Sequence, residues 1–200
     1  MAGMHEATGL AFQIAMGLGL AASAGLRAFL PLLVVGTAGR MGWVPLAGTF
    51  DWLASGPALT ILAVAVVAEI LSDKIPLVDN LLDLLQGVVK PAAGAILAMS
   101  VLTGMEPLQA ALLGLVAGGG TAGLVHAAKM KVRLFSSATT GGIGNPFLSV
   151  GEDAASLLGS ITSLVVPFLI LGLALLSMLA LVLAIRTYRT RVARIEAERR

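Results

Sequence analysis

The chain has no cysteine, few aromatic residues (4%) and little charge (12%). Without cysteine there are no disulfides and no thiolate metal ligands. So little charge over 200 residues cannot clothe a water-soluble surface, which draws about a quarter of its residues from Asp, Glu, Lys and Arg. With no basic stripe interleaved with aromatics, a nucleic-acid partner is excluded. Residues 1–16 carry Glu6 and no basic n-region, so no cleavable signal stands out and the first apolar helix is expected to be retained. There is no HExxH pattern, and His5 and His126 are the only histidines. Gly-Lys-Ser/Thr phosphate loops and G-x-S-x-G elbows are missing too, so no catalytic signature and no cofactor is expected.

What remains is an apolar chain. Hydrophobic residues make up 58% of it, and the mean hydropathy is +0.96. A lipid bilayer is the solvent that suits such a composition. Apolar runs fall at about residues 10–35, 52–71, 90–104, 107–128 and 161–185. They predict an all-α, polytopic membrane helix bundle with about five transmembrane helices and short re-entrant or interfacial helices. Residues 1–200 read as a single integral membrane domain, with 186–200 as a basic C-terminal tail. The 24 glycines lie largely within the apolar runs. Gly114/Gly118 and Gly119/Gly123 have the small-x-x-x-small spacing that lets helices approach closely.

Between the runs, 79–89 reads as a short amphipathic helix, and Pro91 as the first turn of the next one. Residues 136–146 read as a polar loop. Ser149 and Glu152 have the spacing of a capping box opening another helix. Ser23-Ala24-Gly25-Leu26 recurs as Thr121-Ala122-Gly123-Leu124, which suggests two related halves around a central site.

The few charges crowd the ends of the apolar runs. Glu69/Asp73 and Asp79/Asp83 are i,i+4 pairs sharing a helical face. With His126, Lys129, Glu152 and Asp153 they are expected on one side of the bundle. Two readings stand: an ionisable vestibule for a cation, protons or a headgroup, or interfacial caps and ion pairs. Carboxylates there favour a hard or borderline cation, but no metal is specified. Arg27 lies within an apolar run, where it needs a partner or a polar cavity. Asp79 or Glu69 would make it a structural ion pair, while a cavity would make it an anion site. A structural or gating role is preferred. His126 reads either as a proton-responsive group or as a hydrogen-bonded bridge between helices. Gly141-Gly142-Ile143-Gly144-Asn145-Pro146 reads either as a backbone nest or as a plain turn.

Several of these segments together resemble one known family. They are Gly25-Leu26-Arg27-Ala28-Phe29-Leu30-Pro31, Glu69 with Asp73-Lys74-Ile75-Pro76, Asp79-Asn80, Lys90-Pro91-Ala92-Ala93-Gly94, His126 with Lys129, and Gly141 to Pro146 with Glu152-Asp153. The chain resembles, over about residues 10 to 185, the bacterial membrane family catalogued as domain of unknown function 4126. That resemblance implies a small multi-pass protein of the bacterial inner (plasma) membrane and supplies no substrate. It supports Arg27, Glu69, Asp73, Asp79, Asn80, His126, Lys129, Asn145, Glu152 and Asp153 as site candidates. The leading expectation is a small transporter or channel-like protein for an ion or small solute. It would be embedded among membrane lipids and assembled as a homo-oligomer. The alternatives are a non-transporting scaffold and a lipid-headgroup translocase or lipid-handling enzyme. The scaffold reading expects closed ion pairs without a cavity.

Overall fold

The computed structural model describes the backbone over residues 2–72 and 76–167, side chains over 9–72 and 85–167, and isolated positions from there to 186. All regular structure among the described residues is helical. The helices are α1 (Ala2–Leu26), α2 (Phe29–Arg40), α3 (Gly56–Ser72), α4 (Pro76–Ser100), α5 (Pro107–Leu113), α6 (Gly120–Thr140) and α7 (Asn145–Val165). A 3-10 segment, Gly48–Ala54, precedes α3, and a π-helical segment, Gly114–Gly119, joins α5 to α6.

The first apolar run is not the single helix its length suggests. It breaks at Arg27 and Ala28, between α1 and α2. Pro31 supplies the reason. In an unbroken helix its ring would collide with the carbonyl of Arg27, four residues back. Placed in the first turn of α2 it is tolerated. The two outer ends of the apolar run, near Gln13 on α1 and beyond α2, both lie near the C-terminal end of α4. On α1, Gln13 Nε2 donates to Thr103 Oγ1 at 3.0 Å. Beyond α2, the Ala47 N–H donates to the Ser100 carbonyl at 2.8 Å. The run is therefore a V whose apex is the break itself.

Small residues set the packing around this V. Gly17 of α1 lies on Ala98 of α4, and Gly94 lies against Ala21 and Ala122. Where α4 meets the π-helical segment the approach is backbone to backbone. A Cβ on Gly94 would come to 2.8 Å from the Gly118 carbonyl oxygen, and one on Gly118 to 2.7 Å from that of Gly94. The glycine spacing in 107–128 thus serves a helix contact within the chain. Leu20, Ala24, Leu32, Val35, Leu53, Leu97 and Val101 fill the core between α1, α2, the 3-10 segment and α4.

Several expected boundaries move. The amphipathic stretch 79–89 and the run from 90 form one helix, α4, opening at Pro76 and continuing through Pro91. A proline is tolerated within such a helix because neighbouring groups re-satisfy the freed carbonyl. Ser136 to Thr140 belong to α6 rather than to a loop, and the turn is confined to Gly141–Gly144. Gly141 and Gly142 take positive φ there, at 62° and 89°. The capping box is overturned, because α7 opens four residues before Ser149 with Pro146 in its first turn. At the other end Val166 leaves helical geometry (φ −138°) before Pro167, as the residue preceding a proline tends to. The uninterrupted run expected over 161–185 is therefore broken there. Residues 187–200 of the basic tail lie outside the described residues.

The protein is a membrane-spanning helical bundle. Gly9–Leu26 and Pro107–Thr140 are each long and apolar enough to cross a membrane. Gly48–Ala54 with Gly56–Ser72, bent by 64°, makes a third if the pair is one span. Outward-facing Ile61, Val64, Leu115, Val116 and Leu124 suit contact with lipid. Trp43 and Trp52, both exposed, sit at the end of the bundle where α2 meets α3, a position suited to tryptophan at a membrane interface.

Candidate functional site

The break at the apex leaves backbone groups without helical partners. A helix start offers free N–H groups and a helix end free carbonyls, and neither is tolerated unpaired in an apolar setting. Both are met by ionisable side chains from other helices. The N–H of Ala28 donates to Glu69 Oε1 at 2.9 Å, and that of Phe29 to Oε2 at 3.2 Å. Glu69, one turn from the end of α3 and itself buried, is thus the N-terminal cap of α2. Its negative charge suits the positive end of that helix. The Leu26 carbonyl at the end of α1 accepts from Lys129 Nζ of α6 at 3.3 Å, again with the favourable sign.

Arg27 stands at the apex, 1% exposed. Its Nε lies 2.5 Å from Asp153 Oδ1 of α7, and Nη2 donates to Ser149 Oγ at 2.8 Å. The expected partner was Asp79 or Glu69. Glu69 is instead engaged by the α2 backbone, and Asp153 takes the guanidinium. The helix spacing brings Ser149 and Asp153, four apart, onto the Arg27 side of α7. The same face carries Ser156, whose hydroxyl donates to the Ser23 carbonyl at 3.0 Å. Beyond it come buried Ser160 and Ser163, whose hydroxyls donate to the Ser156 and Gly159 carbonyls of α7 itself.

Glu152 faces α6. Its Oε2 lies 2.9 Å from Lys129 Nζ and 3.2 Å from Arg133 Nη2. Lys129 and Arg133, i,i+4 on α6, form a clamp around one carboxylate oxygen. Lys90 of α4 is fully buried, and its Nζ lies 3.3 Å from His126 Nδ1.

Of the expected site residues, the fold brings Arg27, Glu69, His126, Lys129, Glu152 and Asp153 into one network drawn from α3, α6, α7 and the apex, buried except at Glu152 and Asp153, which are partly exposed. Asn145 stays outside it, bracing the turn after α6 through Nδ2 to Ser137 Oγ at 2.9 Å. Asp73 lies outside the described residues. Asp79 and Asn80 fall in the first turns of α4, and their side chains lie outside the described residues. Sequence reasoning missed Lys90, Arg133 and Ser149 as members. Lys90 had a signal: it follows Val88-Val89 and precedes Pro91-Ala92-Ala93, an apolar setting like that of Arg27.

The described members comprise four cations (Arg27, Lys90, Lys129, Arg133) and three carboxylates (Glu69, Glu152, Asp153). The carboxylates are occupied by cations or backbone N–H groups. No cluster of three histidine or acidic side chains suited to a metal forms among the described residues. One cavity of about 10 Å³ lies higher up, among Gln13, Gly17, Ala98, Leu113 and Gly118. A larger groove of about 420 Å³ lies on the outside of α3, along Ala63, Val64, Val67, Ala68 and Leu71. Neither is lined by a charged residue of the network.

Residues 14–188 match the family model described as domain of unknown function (DUF4126). The chain belongs to that family. No curated protein and no solved structure matches it.

Proposed function

We propose that this member of the DUF4126 family is a small transporter or channel-like protein, with its polar network in the closed state. The observation that carries this reading is the broken helix. Its two exposed ends meet inside the bundle and are held by Glu69 and Lys129, side chains of two other helices. Interrupted helices whose ends meet polar groups inside the bundle are the usual site architecture of small-solute transporters. Ionisable groups inside a membrane bundle are expensive, and function is the default explanation for them. A hinge built from ion pairs can open without unfolding a helix, because the α1–α2 break already exists. In this reading Arg27–Asp153 is the gate and the serine face of α7 continues the path. Five crossings, two related halves, a homo-oligomer and residence in the bacterial inner membrane belong to the same proposal.

A second reading is a non-transporting scaffold. It is favoured by the closure of the pairs and by the absence of network residues from either cavity. Purified protein in liposomes decides between them. The transporter reading expects solute or ion flux above that of empty vesicles, changed at least about tenfold in either direction by Asp153→Asn, which breaks the Arg27–Asp153 pair. A tenfold change corresponds to ~1.4 kcal/mol, less than the roughly 3–5 kcal/mol that stranding one member of a buried pair costs. No flux across a panel of cations, anions and small neutral solutes, from a folded protein, would leave the scaffold.

A further inference from the structure

Each of Arg27, Lys129 and Arg133 meets oxygen: carboxylates, a hydroxyl or a carbonyl. Lys90 differs. Its partners among the described residues are nitrogens: His126 Nδ1 at 3.3 Å, with the Lys129 ammonium also within its reach. A hydrogen bond between two bases needs a proton on one of them and a free lone pair on the other. Such a bond is incompatible with a proton on both nitrogens at once. Putting a proton on both would set two cations against each other in a site where Lys90 is 0% and His126 8% exposed. The charges facing the pair are Lys129 and Arg133 on α6, Glu69 on α3 and Glu152 on α7. The two cations oppose a second proton. The two carboxylates are already committed, Glu69 to the α2 backbone and Glu152 to the Lys129–Arg133 clamp. Asp79 and Asp83, also on α4, have side chains outside the described residues.

We propose that Lys90 and His126 form a proton-binding site within the network, closed with one shared proton and opened by a second. This deepens the transport reading above and rests on it for its consequence, a proton-coupled site. The step is a simple protonation. His126 Nδ1 takes a proton from hydronium, leaving water, the Lys90–His126 hydrogen bond breaks, and two like charges separate α4 from α6. Whichever state binds the second proton better gains population as pH falls. Acid therefore favours the opened arrangement.

The two histidines of the chain make the test direct. In a His5→Gln background, ¹³C/¹⁵N-histidine NMR of the detergent-solubilised protein reports His126 alone. Two groups that share a proton titrate as a pair, so Lys90→Met is expected to move the His126 titration by about a pH unit or more. An unmoved titration in a folded Lys90→Met protein overturns the proposal. If that variant does not fold, the His5→Gln protein decides: a His126 titration matching that of a histidine peptide in the same micelles overturns it. Liposome flux then separates the two readings. Flux with equal pH dependence in His126→Gln and in the parent refutes proton coupling and leaves transport standing. A coupled titration without any flux retains the proton site and refutes transport.

Discussion

Arg27 shows what a single residue does when its neighbours forbid it a helix. Pro31 denies its carbonyl a continuing helix, burial denies its guanidinium water, and the side chain turns to Asp153 and Ser149. Such a pair is a poor source of net stability, since desolvation offsets much of its attraction, but losing one member strands the other. Arg27→Gln should therefore cost about 3 kcal/mol in denaturant unfolding in detergent. Arg27→Met with Asp153→Leu should cost clearly less than the two single changes added together. Additive costs would mean that the pair is not coupled. Glu69 is the less obvious case. Paired with Asp73 at i,i+4 near the end of an apolar run, it looked like a vestibule group or an ion-pair partner. Its role as cap of α2 depends on a backbone break forty-one residues away in sequence, which nothing in its own neighbourhood announces.

At the scale of elements, glycine position matters more than glycine number. Gly118 and Gly120 are two residues apart on the same long helix, yet they meet different surroundings. A methyl group on Gly118 would collide with the Gly94 backbone and the Ala98 side chain, whereas one on Gly120 meets nothing within 4 Å. Gly118→Ala should lower the unfolding temperature and Gly120→Ala should leave it unchanged or raise it, since alanine favours a helix over glycine by about 1 kcal/mol. Equal effects would show that the α4 contact is not as close as described. The same contact explains why the fourth apolar run is legible as a tightly packed helix. Its length was misjudged because Lys129, Lys131 and Arg133 look like a terminus. Two of them are buried and point inward instead, so the helix runs on to Thr140. The capping box failed for a related reason. Ser149 is a good cap by type, but Pro146 can begin a helix, and the Ser149 hydroxyl is taken by Arg27.

For the whole molecule, the long helix Pro107–Thr140 separates two ends of the bundle. The turn after α2 and the turn after α4 lie at one end, joined through the Ala47–Ser100 bond. The turn after α6 lies at the other. The chain lacks cysteine, so single substitutions can map this directly. Met41→Cys and Gly104→Cys should label from one face of sealed vesicles, and Ile143→Cys from the opposite face. Labelling of all three from the same side would overturn the arrangement. The sequence by itself determined the solvent, the helical class and the set of residues that cannot remain alone in it. Composition and run length decide those, because backbone amides in lipid must be paired, and apolar runs of about 20 residues pair them within helices. Only the tertiary structure decided that the first run is a V, that Asp153 rather than Glu69 holds Arg27, and that Lys90 meets His126. Those outcomes depend on which helices lie side by side. Distance in sequence carries almost no information about that when every helix is apolar and rich in small residues.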